Sequence, residues 1–331
     1  MKRNFISVLC LLGFVILVNA QLSRIGVKGN QFVDEQGKTV VFRGLNISDP
    51  DKLEKQGQWS KRYFEELKVW NANIVRIPIH PARLQERGME SYFKLIDQAV
   101  EWSNELGMYV IIDWHSIGNL KSQLYQADMY ETDKKQTFEF WRAVAKRYGN
   151  NPTVAMYELY NEPTTFNGQL GICSWEDLKE IYEELIVIIR ANGGEGIPLV
   201  AGFNWAYDLT EAYANPISAE GVGYVSHPYP QKKPQPWKEN WTKDWGMMKK
   251  KYPVILTEIG YSRPGDIGEH IPVISDDSYG PAITNYCDDQ NISYVLWVFD
   301  AQWAPRLISD WDFTPYGHGI YFKKKLQSYR Y

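Results

Sequence analysis

Two glutamates stand where apolar runs of the sequence come to an end. Glu162 follows the run in VAMYELYNEP, directly before Pro163, and Glu258 follows the run in VILTEIG. Burying an unpaired acid costs several kcal/mol or forces its pKa upward, so a strand with a purely structural role would avoid one. Because proline biases the preceding residue toward extended geometry, we expect Glu162 to hold the last position of its strand.

A pair of carboxylates suits glycoside hydrolysis, in which one acid donates a proton to the leaving oxygen and the other attacks or stabilises the anomeric carbon. An arginine beside one carboxyl should lower its pKa and keep it ionised. The other acid, without a positive neighbour, should keep its proton. Asn161, next to Glu162 in the chain, is suited to hydrogen-bond a sugar hydroxyl. The 13 tryptophans fit this chemistry, because an indole binds the apolar face of a pyranose.

The elements that must position these acids repeat eight times along the chain. Apolar runs of strand length begin at Val40, Asn73, Tyr109, Val154, Pro198, Val222, Pro253 and Ser293. Helical stretches alternate with them, near residues 60–71, 91–106, 133–148, 175–192, 237–251 and 279–290, and a helix after the fifth strand is weakly indicated. Runs without two-residue alternation are typical of strands buried on both faces of a parallel sheet. The pattern predicts one α/β domain, a (β/α)8 TIM barrel over residues 21–331.

The segment before the first repeat has a different pattern. Asp34 to Gly37 lies between two short alternating runs, which predicts an N-terminal β-hairpin that could close the bottom of the barrel. Functional residues of such barrels lie at the opposite end, where the carboxyl ends of the strands meet. The ends of the fourth and seventh strands would therefore bring Glu162 and Glu258 together.

The set of strand-end residues, in its order along the chain, resembles the family-5 glycoside hydrolases, the cellulase-type branch of the 4/7 retaining superfamily. The residues that carry the resemblance are Arg76, His115, Asn161-Glu162-Pro163, His227-x-Tyr229, Glu258 and Trp297. The resemblance spans nearly the whole chain after its first twenty residues. It implies that Glu162 is the general acid/base and Glu258 the nucleophile. It also implies further roles: Arg76 and Tyr229 around the nucleophile, His115, Asn161 and His227 as hydrogen-bond partners of the reacting sugar, and Trp297 as its stacking platform.

The stretches YVIIDWH and FNW, the latter ending at Trp205, are most similar to bacterial endo-β-1,4-glucanases of that family. Trp205 is therefore expected to bind substrate. The loop after the first strand departs from the usual His-Gly-Leu-Gln-Trp style segment, and we expect Trp59 to take the place of its aromatic residue. This departure leaves the outer subsites, and hence the preferred polysaccharide, open.

Residues 1–20 are typical of a secretory signal peptide. An apolar run from Phe5 to Val18 follows two basic residues, and cleavage is expected between Ala20 and Gln21. The run has about 14 apolar residues, fewer than the roughly 20 that span a membrane. We therefore expect a secreted protein, extracellular or periplasmic. We also expect a monomer.

The composition narrows the range of partners. Without the signal peptide the basic count falls from 36 to 34 against 40 acids, so the formal charge moves from −4 to −6. This balance argues against a nucleic acid partner. The sequence shows no metal-binding motif, and we expect no cofactor. The pairing of Cys173 and Cys287 is left undecided.

Several functions remain open beside an endo-β-1,4-glucanase acting on β-glucan. Another β-glycanase on the same scaffold, for mannan, xyloglucan, xylan or mixed-linkage glucan, would differ in its loops alone. A non-catalytic glycan-binding barrel would have no need of both glutamates with their Asn and Arg neighbours. A sugar-phosphate or Schiff-base enzyme would show a strand-end lysine or a glycine-rich phosphate loop.

Overall fold

The computed structural model describes residues 22–331, so the predicted signal peptide and its cleavage point lie outside the described residues. Eight parallel strands form a closed barrel in which each strand pairs with the next along the chain and the eighth pairs with the first. This architecture confirms the (β/α)8 prediction. The barrel strands are Arg43–Asn46, Ile74–Ile79, Tyr109–Trp114, Val154–Glu158, Ile197–Ala201, Gly223–Val225, Val254–Ile259 and Ser293–Leu296.

Helices cover the outside of the barrel, and each predicted helical stretch contains one. The α-helices are Pro50–Lys55, Lys61–Val69, Pro81–Arg87, Met89–Glu105, Lys134–Tyr148, Trp175–Ala191, Thr210–Ala214, Trp237–Asp244, Tyr279–Gln290 and Gly319–Gln327, with a short irregular turn at Phe203–Ala206. The weak signal after the fifth strand corresponds to a helix of five residues, Thr210–Ala214. Short 3-10 helices lie at Asp128–Tyr130, Pro230–Lys232 and Gly246–Lys250.

N-cap side chains fix the start of two of the longer helices. Ser174 and Asp177 form a capping box at the start of Trp175–Ala191. Asp133 accepts a hydrogen bond from the backbone of Gln136 at the start of Lys134–Tyr148. These contacts satisfy donors that the first helical turn leaves without a partner.

The predicted N-terminal hairpin is present around Asp34 to Gly37, where Val33 pairs antiparallel with Thr39, and another hairpin precedes it. Strands Gly26–Lys28 and Gln31–Val33 pair antiparallel around a turn at residues 29–30. Asp34 to Gly37 forms a second tight turn, because Asp34 Oδ1 accepts from two backbone N–H groups that follow it. Phe32 packs among interior side chains from the beginnings of the barrel strands, including Ile74 and Ile111. The hairpin thus covers the bottom of the barrel.

The prediction that Glu162 ends the fourth strand is wrong. That strand ends at Glu158, and Glu162–Pro163 belongs to a small separate sheet with Ile117–Asn119 and Leu124–Tyr125. The backbone N–H of Glu162 donates to Ser116 O at 3.1 Å. Because the chain continues along the extension of the third strand, Glu162 is carried past the barrel rim into its mouth.

Two further features concern the surface and the cysteines. Within residues 22–331, no helix has the length and apolar character needed to cross a bilayer. Cys173 and Cys287 are both free, and Cys287 is a fully buried residue of the helix Tyr279–Gln290.

Candidate active site

Arg76 is the centre of a buried polar network inside the barrel mouth. It lies on the second strand, is fully buried, and makes a bidentate contact to Glu158 through Nε at 2.7 Å and Nη2 at 2.9 Å. It also lies 3.0 Å from Asp113 of the third strand. The arginine and its hydrogen bonds bring the pKa of Glu158 below its usual value despite burial, which raises it. Burial raises the pKa of Asp113 well above its usual value, although Arg76 opposes this rise.

Glu258, on the seventh strand, has a partner for each carboxylate oxygen. Arg76 Nη1 donates to Oε1 at 2.9 Å, and the Tyr229 hydroxyl donates to Oε2 at 2.7 Å. Burial raises the pKa of Glu258, and the positive charges of His227 and Arg76 oppose the rise. The expectation that an arginine holds this pKa low is therefore corrected, because burial and the nearby Glu162 outweigh Arg76.

Glu162 faces Glu258 across the mouth, with His227 between them. His227 Nδ1 lies 2.8 Å from Glu162 Oε1. Ligand atoms of these three side chains all lie within 4.8 Å of one another. The expectation that Glu162 has no positive neighbour is also corrected. His227 is fully buried, which lowers its pKa, but Glu258, Glu158 and Glu162 together raise the pKa of His227 to about 9.

The same three side chains have the spacing of a metal site, but their chemistry does not favour one. With a pKa of about 9, His227 is protonated at neutral pH and offers no lone pair to an ion. Its second ring nitrogen, Nε2, is also engaged, at 2.9 Å from Thr257 Oγ1. Thr257 Oγ1 in turn donates to Glu158 at 2.9 Å, so the imidazolium joins the two halves of the acid cluster.

Asn161 presents a hydrogen-bond donor that the protein leaves unused. Its Oδ1 accepts from Arg76 Nη2 at 2.7 Å, which fixes the orientation of the amide. Its Nδ2 is buried and has no partner among the described residues. Asn161 lines the cleft beside both glutamates. A buried donor without a partner is rare, so this amide is suited to a ligand hydroxyl.

A cleft of about 890 Å³ opens above the glutamates. One of its walls is a set of nearly parallel rings: Trp297 lies 5.3 Å from His115 with an angle of 3° between the planes, and 6.2 Å from Trp303 with an angle of 14°. His115 Nδ1 lies 2.6 Å from Asp113. Burial lowers the pKa of His115 well below its usual value, so the ring is neutral at neutral pH.

The opposite wall contains Trp205, whose Nε1 donates to Gln126 at 2.7 Å.

Among the predicted site residues, the structure brings all but one to the cleft or to the network directly beneath it. The exception is Trp59. It packs against Phe64 and Trp102 in the outer helix layer and donates to Gln98, and it is not part of the cleft lining. The Trp59 prediction is therefore corrected.

The structure adds residues that sequence reasoning missed. Glu158 was hidden inside an apolar run, although a second acid in VAMYELYNE was a signal that could have been used. Trp303, which the sequence favours as a sugar platform together with Trp205 and Trp297, supplies the second indole of the first wall. Its loop is held by Asp300, which accepts from the backbone N–H of Trp303 at 2.8 Å and forms an ion pair with Lys52. The loop after the first strand thus contributes a lysine instead of an aromatic ring.

A parallel eight-stranded barrel with two carboxyls facing across its mouth and aromatic walls on either side defines a glycoside hydrolase of the barrel class. A family model described as Cellulase (glycosyl hydrolase family 5) matches residues 33–302. The chain belongs to this family.

Named relatives agree with this assignment. Endoglucanase E-5 of Thermobifida fusca is 25% identical over 291 residues, which are 80% of this chain and 56% of that protein. Endoglucanase A of Butyrivibrio fibrisolvens is 26% identical over 213 residues, 62% of this chain and 45% of that protein. The chain therefore spans about half the length of these curated relatives.

Solved structures are similar over nearly the whole chain. A β-glucanase from Saccharophagus degradans is 49% identical with a TM-score of 0.91, covering 93% of this chain and 94% of that one. The same enzyme has also been solved in complex with cellotetraose, and that structure has a TM-score of 0.91 as well. The catalytic domain of a Thermobifida fusca endoglucanase, 21% identical with a TM-score of 0.74 over 92% of this chain and 97% of that one, shares the fold.

Proposed function

We propose that the chain is a secreted, retaining endo-β-1,4-glucanase that hydrolyses β-glucan with Glu162 and Glu258. The observation that carries the proposal is the separation of the two acids, whose nearest ligand atoms lie within 4.8 Å. Retaining glycosidases hold their carboxyls about 5 to 5.5 Å apart, whereas inverting ones leave roughly 6.5 to 9.5 Å for a water molecule. The short separation supports direct attack by one acid.

The surroundings of each acid support a division of roles. Glu258 is fixed at both oxygens by Arg76 and Tyr229, which suits a nucleophile that must attack in one orientation. Glu162 has His227 as its hydrogen-bond partner and lies at the cleft surface, which suits proton transfer to a leaving oxygen. In the first step Glu162 protonates that oxygen while Glu258 forms a bond to the anomeric carbon. In the second step Glu162 takes a proton from water, which displaces Glu258.

Asn161 and Trp297 have roles at the sugar that reacts. The free Nδ2 of Asn161 is placed to donate to the hydroxyl beside the anomeric carbon, a contact that strengthens in the transition state. Trp297 offers an indole face for the same ring. The β-glucan assignment rests on the Saccharophagus degradans β-glucanase, which is 49% identical and has been solved with cellotetraose. A β-glycanase for another polysaccharide is the alternative, and the loops that differ would decide between them.

Glutamine variants of the two acids test the proposal. Glu258→Gln should lower kcat on soluble β-glucan by at least about 10³-fold while leaving cellotetraose binding within a few fold, because the loss is confined to the transition state. Glu162→Gln should behave in the same direction. The control is Glu239→Gln, an exposed acid on the helix Trp237–Asp244, which should retain full activity.

The assay measures reducing ends released from cellulose derivatives, mixed-linkage glucan, mannan, xyloglucan and xylan. Proton NMR of the first product should show the β-anomer. Unchanged turnover in Glu258→Gln, or first appearance of the α-anomer, would refute the mechanism. Stronger activity on mannan or xylan than on any glucan would refute the substrate assignment and leave the mechanism standing.

A further inference from the structure

Three successive residues after the fifth barrel strand have left-handed backbone geometry. Asn204, Trp205 and Ala206 have φ angles of 59°, 54° and 55°. This region is unfavourable for residues that carry a Cβ, so a run of three persists where the surroundings hold it in place. Strained segments of this kind cluster at ligand-binding sites. This one carries an indole that lines the cleft.

Lys232 holds this segment at two points. Its Nζ donates to the backbone oxygen of Asn204 at 3.0 Å and lies 4.6 Å from the ring centroid of Trp205. The first contact fixes the strained backbone and the second fixes the indole. On its other side, Trp205 donates to Gln126 at 2.7 Å. The position of the indole is therefore set by one cation and one amide from neighbouring loops.

Lys232 holds a positive charge in a partly buried position near the two glutamates. Burial lowers its pKa to about 8, while Glu162 and Glu258 raise it, so the ammonium remains mostly charged at neutral pH. One of its three N–H donors is used by Asn204, and the side chain lines the cleft. A partly buried lysine with free donors at a polysaccharide cleft is placed to contact sugar hydroxyls as well as the indole.

The wall built by Lys232 and Trp205 lies on one side of the two acids. The segment Phe203–Ala206 packs against Glu162–Pro163, whereas Trp297 and Trp303 form the wall beside His115. In the mechanism proposed above, Glu162 protonates the leaving group. The side of Glu162 is therefore the side on which the departing sugar chain is bound.

We propose that Lys232 is a positioning residue that holds Trp205 and its strained backbone as the binding wall for the leaving-group sugars. This inference rests on the proposed function and deepens it, because it assigns one wall of the cleft to one part of the substrate. It predicts that loss of Lys232 weakens reactions that need sugar on the leaving-group side and spares those that do not.

The test compares two substrates in Lys232→Met, which keeps most of the length of the side chain and removes its charge and donors. For soluble β-glucan, kcat/KM should fall at least about tenfold, mainly through KM, since both the ionic hydrogen bond and the cation–π contact are lost. For dinitrophenyl β-cellobioside, whose leaving group carries no sugar and needs no protonation, kcat/KM should stay within about twofold. Lys232→Arg, which keeps the charge, should recover most of the loss.

Two further variants make the result decisive. Lys233→Met, at the next position, removes a lysine whose partner is Asp244 at 3.6 Å and should change neither substrate. Trp205→Phe removes the bond to Gln126 and should reproduce the split between the two substrates, which decides the matter if Lys232→Met does not fold. An equal fall on both substrates, or no fall on β-glucan, would overturn the inference. A wild-type protein inactive on both substrates would overturn the proposed function and the inference with it.

Discussion

The barrel mouth holds more buried carboxyls than buried cations. Four carboxyls share the network, those of Asp113, Glu158, Glu162 and Glu258, and the cations among them are Arg76 and His227. Burial raises the pKa of Asp113 well above its usual range, whereas Arg76 and His227 outweigh burial at Glu158 and lower its pKa. One protonated and one ionised acid are what the first step of a retaining mechanism requires.

His227 ties this charge balance to the stability of the fold. Its pKa of about 9 is raised above the unfolded value near 6.5, so its contribution is fully present below about pH 6.5 and is lost as the pH rises toward 9. The free energy of unfolding should therefore fall by about 3 kcal/mol across this window. Burial lowers the pKa values of Lys232 and Lys249 to about 8. Loss of their protons above that pH should raise the free energy of unfolding, which is opposite to the effect of His227.

Urea unfolding at pH 6, 7 and 8 measures this dependence. The difference between wild type and His227→Gln should shrink as the pH rises, because the variant lacks the group that titrates. His270→Gln, which replaces an exposed histidine, should keep the wild-type slope. A pH-independent difference between wild type and His227→Gln would show that the imidazole is not charged in the folded protein.

At the scale of the element, the strand pattern was readable from the sequence while the strand ends were not. The run from Val154 stays apolar after Glu158, at Leu159 and Tyr160, so its hydrophobicity does not mark the point after Glu158 where the chain leaves the barrel sheet. That point depends on the extension of the third strand, with which Glu162 pairs. Pairing between distant segments is a tertiary effect, and local sequence propensity does not predict it.

A glycine of the first barrel strand has no room for a side chain, because the second strand approaches it closely. A Cβ on Gly44 would lie 2.3 Å from the backbone oxygen of Ile74, its pairing partner. Gly44→Ala should therefore force the two strands apart and destabilise the protein by about 1 to 3 kcal/mol. The matched control is Gly26→Ala, where nothing lies within 4 Å of the added Cβ.

Chemical denaturation of both glycine variants gives the comparison. The midpoint of Gly44→Ala should fall with an unchanged slope, and that of Gly26→Ala should stay near the wild-type value. Equal midpoints for the two variants would mean that the first and second strands are not as close as the structure places them.

At the scale of the whole molecule, stability and chemistry occupy opposite ends of the barrel. The (β/α)8 architecture and the pair of glutamates were predictable because eight repeats, and two acids that follow apolar runs, are visible in the sequence. Trp303 was also a candidate from the sequence, but Lys232 was not, since its place depends on how the loop after the sixth strand folds over the mouth. Trp59 was misplaced for the same reason, because spacing from a strand does not say whether a loop turns inward.

The hairpin provides a test of this separation. Phe32 is 3% exposed and lies 5.9 Å from the ring of Phe42 at the bottom of the barrel. Phe32→Ala should cost about 3 to 5 kcal/mol of stability, because it leaves a cavity in a closed core, while kcat and KM on β-glucan stay unchanged at a temperature where the variant is folded. Phe138→Ala, half-buried on the helix Lys134–Tyr148, should cost less. A change of KM in Phe32→Ala would show that the two ends are coupled.

The most direct measurement of the central claim is covalent labelling of the nucleophile. A 2-deoxy-2-fluoro β-cellobioside with a good leaving group should form a stable glycosyl-enzyme, because the fluorine slows both steps while the good leaving group speeds the first alone. Mass spectrometry of peptides from the inactivated protein should then find one added cellobiosyl unit on Glu258. A label on Glu162 or on any other residue, or a protein that loses activity without a label, would contradict the account.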